Sequence, residues 1–282
     1  MGVRRRRSYE LFDRVVVITG AGSGIGRALA AELTDRGAHV AISDWDEASV
    51  SETARMIEGA GTKVMTAGFD VSDRSAVESH AAAVIEEFGR ADVIVNNAGV
   101  NLASLVETVS YEDLEWVIDI DFWGVVHGTK AFLPHLLERD EGAIVNVSSV
   151  FGMFGLPTQS GYNAAKFAVR GFTESLQQEL ADTGVLVSRV HPGGIKTGIV
   201  RHGRIRDGFE GVAPTELPDA FERAAATTPE RAATIIADGI ARRKQRILVG
   251  PDAHLLDLVV RTMPVRYPAA VRAFSRLAMR SG

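Results

Sequence analysis

The chain has no cysteine in 282 residues. That excludes disulfides, a thiol nucleophile and any cysteine-ligated metal, and it fits a reducing, cytoplasmic setting. The seven histidines show no metal-ligand spacing, so no metal is expected. An excess of positive charge is lacking too. Against 36 Asp and Glu stand 31 Lys and Arg, a formal charge of -5, which argues against a nucleic-acid partner and for a small-molecule substrate. No apolar run reaches the roughly 18 residues of a membrane span, so no transmembrane segment is expected. Arg4 to Arg7 resemble the start of an export signal, but the apolar run that follows is only Val15 to Ile18. An export signal requires about 7 to 15 apolar residues. Residues 1–10 are therefore expected to be a flexible basic tail. Linkers, repeats and low-complexity blocks are also missing, so residues 11–250 are read as one domain.

Within that domain, short β-branched runs alternate with longer amphipathic segments. Strands are expected at Arg14–Thr19, His39–Ser43, Lys63–Phe69, Ala91–Asn96, Gly142–Ser148, Val185–His191 and Arg246–Val249. Helical patterns lie between them, at Gly24–Asp35, Asp46–Gly59, Asp73–Phe88, Ser110–Leu137, Ser160–Asp182, Asp219–Ala225 and Pro229–Arg243. Strands alternating with helices in this way build an α/β fold, a doubly wound parallel sheet of about seven strands.

The first strand runs through Thr19-Gly20-Ala21-Gly22-Ser23-Gly24-Ile25-Gly26 into a helix. Glycines let the backbone amides approach an anion, and the helix start adds unpaired donors and partial positive charge, as a pyrophosphate requires. Asp44 ends the second strand, 18 residues beyond Gly26, where a Rossmann-type fold places the carboxylate that holds the ribose. A carboxylate accepts from both ribose hydroxyls and repels a 2′-phosphate, so the cofactor is expected to be NAD; Ser23 adds no charge to hold that phosphate.

Farther along, Tyr162 and Lys166 lie four residues apart, hence on one helix face. A phenol titrates near 10, and an adjacent ammonium favours its ionised form. Taken with the glycine turn, the segments Asn96-Asn97-Ala98-Gly99, Ser149 with Tyr162 and Lys166, and Pro192-Gly193 resemble the short-chain dehydrogenase/reductase family in order and spacing, over about residues 10–250. The resemblance implies an oxidoreductase that interconverts an alcohol and its ketone or aldehyde. Tyr162 would be the acid/base, Lys166 would lower its pKa and bind the nicotinamide ribose, and Ser149 would orient the carbonyl. Gly20, Ser23, Gly24, Ile25, Gly26 and Asp44 would bind the cofactor. So would Asp70 and Val71 at adenine, Asn97, Ala98 and Gly99 beside the adenosine ribose, and Pro192, Gly193, Ile195 and Thr197 around the nicotinamide. A homodimer or homotetramer built through the two long helices is implied as well.

One position departs from that pattern. The family asparagine three residues before Gly124 is Asp121 here. Asp121 is counted with the catalytic residues: its backbone carbonyl could still serve a proton relay, while the carboxylate is expected to act electrostatically on Lys166 or to bind a proton. Asp121→Asn should leave activity equal or higher and shift its pH profile. The apolar residues Phe151, Met153, Phe154, Leu156, Ile199, Val200 and Phe209 point to a lipophilic substrate. The glycine-bearing segment Gly193 to Thr228 reads as a mobile lid with a short helix. Residues 251–282 form a basic amphipathic extension, packed on the domain, a partner subunit or a membrane surface. A regulatory protein that binds NAD without turnover is the competing reading.

Overall fold

The computed structural model describes residues 9–59, 61–209 and 211–280, with side chains as far as Ala273. The expected tail with Arg4 to Arg7 lies outside the described residues. The chain is anchored from Tyr9, which is buried and whose N–H donates to the Ala241 carbonyl at 2.7 Å.

Seven parallel strands form the main sheet: β1 (Val15–Thr19), β2 (His39–Asp44), β3 (Val64–Gly68), β4 (Val93–Asn96), β6 (Gly142–Val147), β7 (Val185–Pro192) and β9 (Arg246–Val249). Their order across the sheet is β3-β2-β1-β4-β6-β7-β9. In β1, Val16 and Ile18 face one hydrophobic core while Val15 and Val17 face another. This is the period-two alternation of a strand buried on both sides, and it explains an apolar run with no polar face. One layer contains α1 (Gly24–Asp35) and α8 (Pro229–Ala241), which supply Leu29, Leu33 and Ile236 to the first core; α2 (Glu47–Ile57) joins them through Val50. The other layer contains α3 (Arg74–Phe88), α5 (Gly124–Arg139) and α6 (Ser160–Glu179), which supply Val84, Phe132 and Leu176. The connections reverse direction between β1 and β4, and the crevice at their carboxyl ends is where such sheets bind ligands.

Two features differ from the expected elements. The long helix read as Ser110–Leu137 consists of α4 (Tyr111–Ile118), a π-helical turn at Asp119–Trp123, and α5. The wider turn interrupts the regular spacing at Asp121, which becomes fully buried. The segment read as a lid contains β8 (Arg204–Ile205), which pairs with β5 (Leu102–Ala103), and α7 (Leu217–Ala224). Asp113, itself buried, accepts from Arg204 at 2.8 Å and Arg206 at 2.8 Å; Asp207 accepts from the hydroxyls of Ser104 and Thr108. Two-residue strands carry too little pattern to be read in advance. At the far end, α9 (Pro251–Thr262) and α10 (Tyr267–Arg280) pack on the domain through Ala253, Leu256 and Val271, while Leu258 and Val265 are exposed. No helix among the described residues is long and apolar enough to cross a membrane.

Candidate active site

A single cleft of about 850 Å³ extends from the glycine turn to an apolar chamber under α7. At its first end Gly20 has a φ of 67°, a region costly for any residue with a Cβ. Asp44 turns back onto this loop: one carboxylate oxygen accepts from the Gly22 N–H at 2.8 Å and the other from the Asp46 N–H at 3.1 Å. Ser23 precedes α1 without capping it, whereas Asp46, Asp73 and Ser110 cap the starts of α2, α3 and α4. The first-turn amides of α1 thus take no side-chain partner from Ser23, and they stand at the turn where a pyrophosphate would lie.

Gly20, Ser23, Gly24, Ile25, Asp44, Asp70, Val71, Asn97, Ala98, Gly99, Pro192, Gly193, Ile195 and Thr197 all line the cleft, as the sequence pattern implies. Gly26 does not. A Cβ there would lie 2.1 Å from the Gly20 carbonyl oxygen, so Gly26 permits helix and turn to pack instead of facing a ligand. Asn97 spends its side-chain amide on the carbonyls of Thr19 and Gly20, at 3.0 and 3.1 Å, tying the end of β4 to the turn.

Midway along the cleft, Ser149, Tyr162 and Lys166 come together. The strand end and helix start that carry them are locked to each other: the Ser148 hydroxyl donates to the Lys166 carbonyl at 2.9 Å, which leaves Ser149 as the serine whose proton no backbone carbonyl takes. Ser149 Oγ accepts from the Phe151 N–H at 3.1 Å. Its carbonyl accepts from His191 Nδ1 at 2.9 Å. Burial holds that imidazole down near 4, so it is neutral and carries its proton on Nδ1, since a carbonyl can only accept. Asn163 donates to the carbonyls of Phe151 and Phe154, fixing the loop between Ser149 and Tyr162.

Lys166 Nζ lies 5.6 Å from the centre of the Tyr162 ring and 3.0 Å from Asp121 Oδ2. Gly99 leaves room for the pair, since a Cβ there would crowd Lys166 Nζ at 3.1 Å and Asp121 Oδ1 at 3.2 Å. Asp121 Oδ1 accepts from the Val100 N–H at 2.7 Å. Burial raises the Asp121 carboxyl above its ordinary range against the pull of Lys166. For Lys166, burial alone would lower the ammonium, but Asp121 and Tyr162 together outweigh it and the net direction is up. The Tyr162 phenol is raised by burial. Lys166 draws it down, Asp121 pushes it back up, and the Ser149 hydroxyl draws it down again. The lysine therefore acts in the expected direction without setting the net one. Asp121 does not reach the cleft wall; it stands behind Lys166 and is a positioning residue, where a catalytic one was expected.

The chamber beyond is lined by Phe151, Phe154, Leu156, Ile199, Val200 and Phe209, as anticipated. Met153 turns away into the cluster with Ala253 and Leu256, its sulfur accepting from Arg246 at 3.2 Å. Trp116, Phe221, Leu256, Thr158 and Gln159 also line the cleft. No local spacing announces them, because they come from four separate segments.

Comparison with known proteins agrees with this geometry. A family model described as short chain dehydrogenase matches residues 14–206. "Putative oxidoreductase SadH" of Mycobacterium tuberculosis is 46% identical over 262 residues, covering 92% of this chain and 94% of that one. A short chain dehydrogenase/reductase from Burkholderia phymatum, solved in complex with NAD, superposes with a TM-score of 0.82 at 31% identity, over 90% of this chain and 95% of that one. Levodione reductase superposes with a TM-score of 0.77 at 27% identity, over 86% and 98%. Turn, sheet order and matched sequence agree over most of the domain, and the chain belongs to the short-chain dehydrogenase/reductase family of oxidoreductases.

Proposed function

We propose that this protein is an NAD(H)-dependent oxidoreductase that interconverts a lipophilic secondary alcohol and its ketone, with Tyr162 as the acid/base. The observation that carries the reading is the convergence of Ser149, Tyr162 and Lys166 in the one cleft that begins at the Gly20 turn and Asp44. For NAD over NADP the support is electrostatic. Asp44 stands where a ribose 2′-phosphate would go, and Lys166 is the only lysine or arginine among the described residues lining the cleft. The family relative from Burkholderia phymatum was solved with NAD.

A nicotinamide bound beside Pro192 and Gly193 would give or take the hydride and, when oxidised, add positive charge near the phenol. The Ser149 hydroxyl, whose oxygen already accepts from Phe151, keeps its proton to donate to the substrate oxygen. Tyr162 gives its proton to that oxygen in reduction and removes one in oxidation. A buried phenol raised by its surroundings is suited to donating; Lys166 favours the phenolate needed in the reverse direction. The segment 193–228, anchored through β8 and supplying Ile199, Val200, Phe209 and Phe221, would cover the chamber. Trp123 and Phe167, exposed on the π turn and α6, would lie in a dimer or tetramer contact.

The test is Tyr162→Phe. It should abolish NADH formation across a panel of secondary alcohols while NADH binding, read by fluorescence, persists. Wild-type protein that binds NADH and turns over no member of the panel would overturn the enzymatic reading in favour of a regulatory one.

A further inference from the structure

The substrate chamber contains two neutral polar side chains with nothing to bind. Gln159 is buried, 9% exposed, yet its Oε1 has no hydrogen-bond partner and its side chain makes no bond to any described residue. Thr158, equally buried, lines the cleft beside it, and its hydroxyl is likewise unpartnered among the described residues. Buried amides in protein interiors are nearly always paired, so an unpaired one on a cavity wall marks a place for an incoming group.

The backbone here is held firmly. Thr158 adopts a φ of 66°, costly for a β-branched residue, and such strain persists only where the surroundings enforce it. The Ser104 N–H donates to the Thr158 carbonyl at 2.7 Å, and the Asn163 N–H donates to the Gln159 carbonyl at 2.7 Å. The backbone that carries the two side chains is thus fixed at the entrance of α6, with Gln159 three residues before Tyr162. Three residues correspond to about 4.5 Å of helix rise. Around them the wall is apolar, from Ala103, Trp116, Phe151, Phe154 and Leu156.

We propose that Thr158 and Gln159 form a second recognition point in the chamber, selecting substrates that bear an uncharged hydroxyl or carbonyl a few carbon atoms from the reacting one. The inference rests on the oxidoreductase reading and narrows it. A carboxylate or phosphate is disfavoured at this point, because the one lysine of the cleft, Lys166, is already paired with Asp121. An amide and a hydroxyl each donate and accept, which suits a hydroxyl or a keto group on an apolar skeleton.

The experiment compares NAD-linked turnover of cyclohexanol with that of cyclohexane-1,2-, 1,3- and 1,4-diols, in wild type and in Gln159→Leu. At least one diol should exceed cyclohexanol by roughly 10- to 100-fold in kcat/KM. Gln159→Leu should bring that ratio near one, with NADH binding as the check that the fold is intact. Equal use of diols and cyclohexanol by the wild type, or a ratio that survives the exchange, would overturn the proposal and leave the oxidoreductase reading standing. Failure of every alcohol and ketone to react would remove both.

Discussion

Replacing Asp121 by asparagine removes one negative charge and almost nothing else. The carboxylate is fully buried and sits 3.0 Å from Lys166 Nζ, which in turn lies 5.6 Å from the centre of the Tyr162 ring. The two contacts together put Asp121 Oδ2 within about 9 Å of that ring. At an effective dielectric of about 20, a unit charge at such a distance is worth about 2 kcal/mol, equivalent to roughly 1.5 pH units. Asp121 pushes the phenol up, so its removal lets Tyr162 ionise at lower pH. The rising limb of kcat/KM for alcohol oxidation should therefore move to the acid side by about one to 1.5 units. Lys166 loses the charge that offsets its burial, so the alkaline limb should come down as well. Activity near neutrality should be equal or higher. Because the asparagine carbonyl can still accept from Val100 or Lys166, the fold should lose no more than about 1 kcal/mol. Asp121→Ala leaves the Val100 N–H without its acceptor and the buried Lys166 ammonium without its counter-charge, and should cost roughly 3–5 kcal/mol, a fall in Tm of roughly 10 °C. The assay is a pH profile of initial rates for wild type and Asp121→Asn, with thermal melts of all three proteins. An unmoved acidic limb, or one shifted to alkaline pH, would refute the electrostatic role of Asp121.

Two further outcomes are expected. Asp44→Ala should weaken NADH binding by roughly tenfold or more and narrow the gap to NADPH, as measured by fluorescence titration; unchanged affinities for both would refute the placement of the ribose. His80 is buried against Phe69 with neither ring nitrogen paired, and burial holds it near 4 against an ordinary 6.5. Since its folded value lies below its unfolded one, its contribution is intact above pH 6.5. It is lost as pH falls toward 4, by up to about 3 kcal/mol. His80→Leu should therefore flatten the decline of Tm between pH 7 and 4.5, and an equal decline in both proteins would count against it.

The sequence alone determined the elements and the family. Central strands buried on both faces read as unbroken apolar runs, and seven short strands alternating with amphipathic helices leave few alternatives to a doubly wound sheet. The nucleotide end was legible because it is local: turn, helix start and the strand-end Asp44 are linked by short spacings that survive folding. Tyr162 and Lys166 were legible as one face of one helix. What the tertiary structure alone decided is which groups meet across elements. Asp121 reaches Lys166 through a π-helical turn that no local pattern marks, and Gly99 matters because a side chain there would crowd both. Gly26 packs where a ligand contact was expected, and Met153 points into the core although Phe151 and Phe154 face the chamber. Gln159 could not be singled out either, since an amide is known to lack a partner only once every neighbour is in place. Spacing along a chain encodes contacts within an element; contacts between elements depend on packing, and there the direction of each side chain is settled.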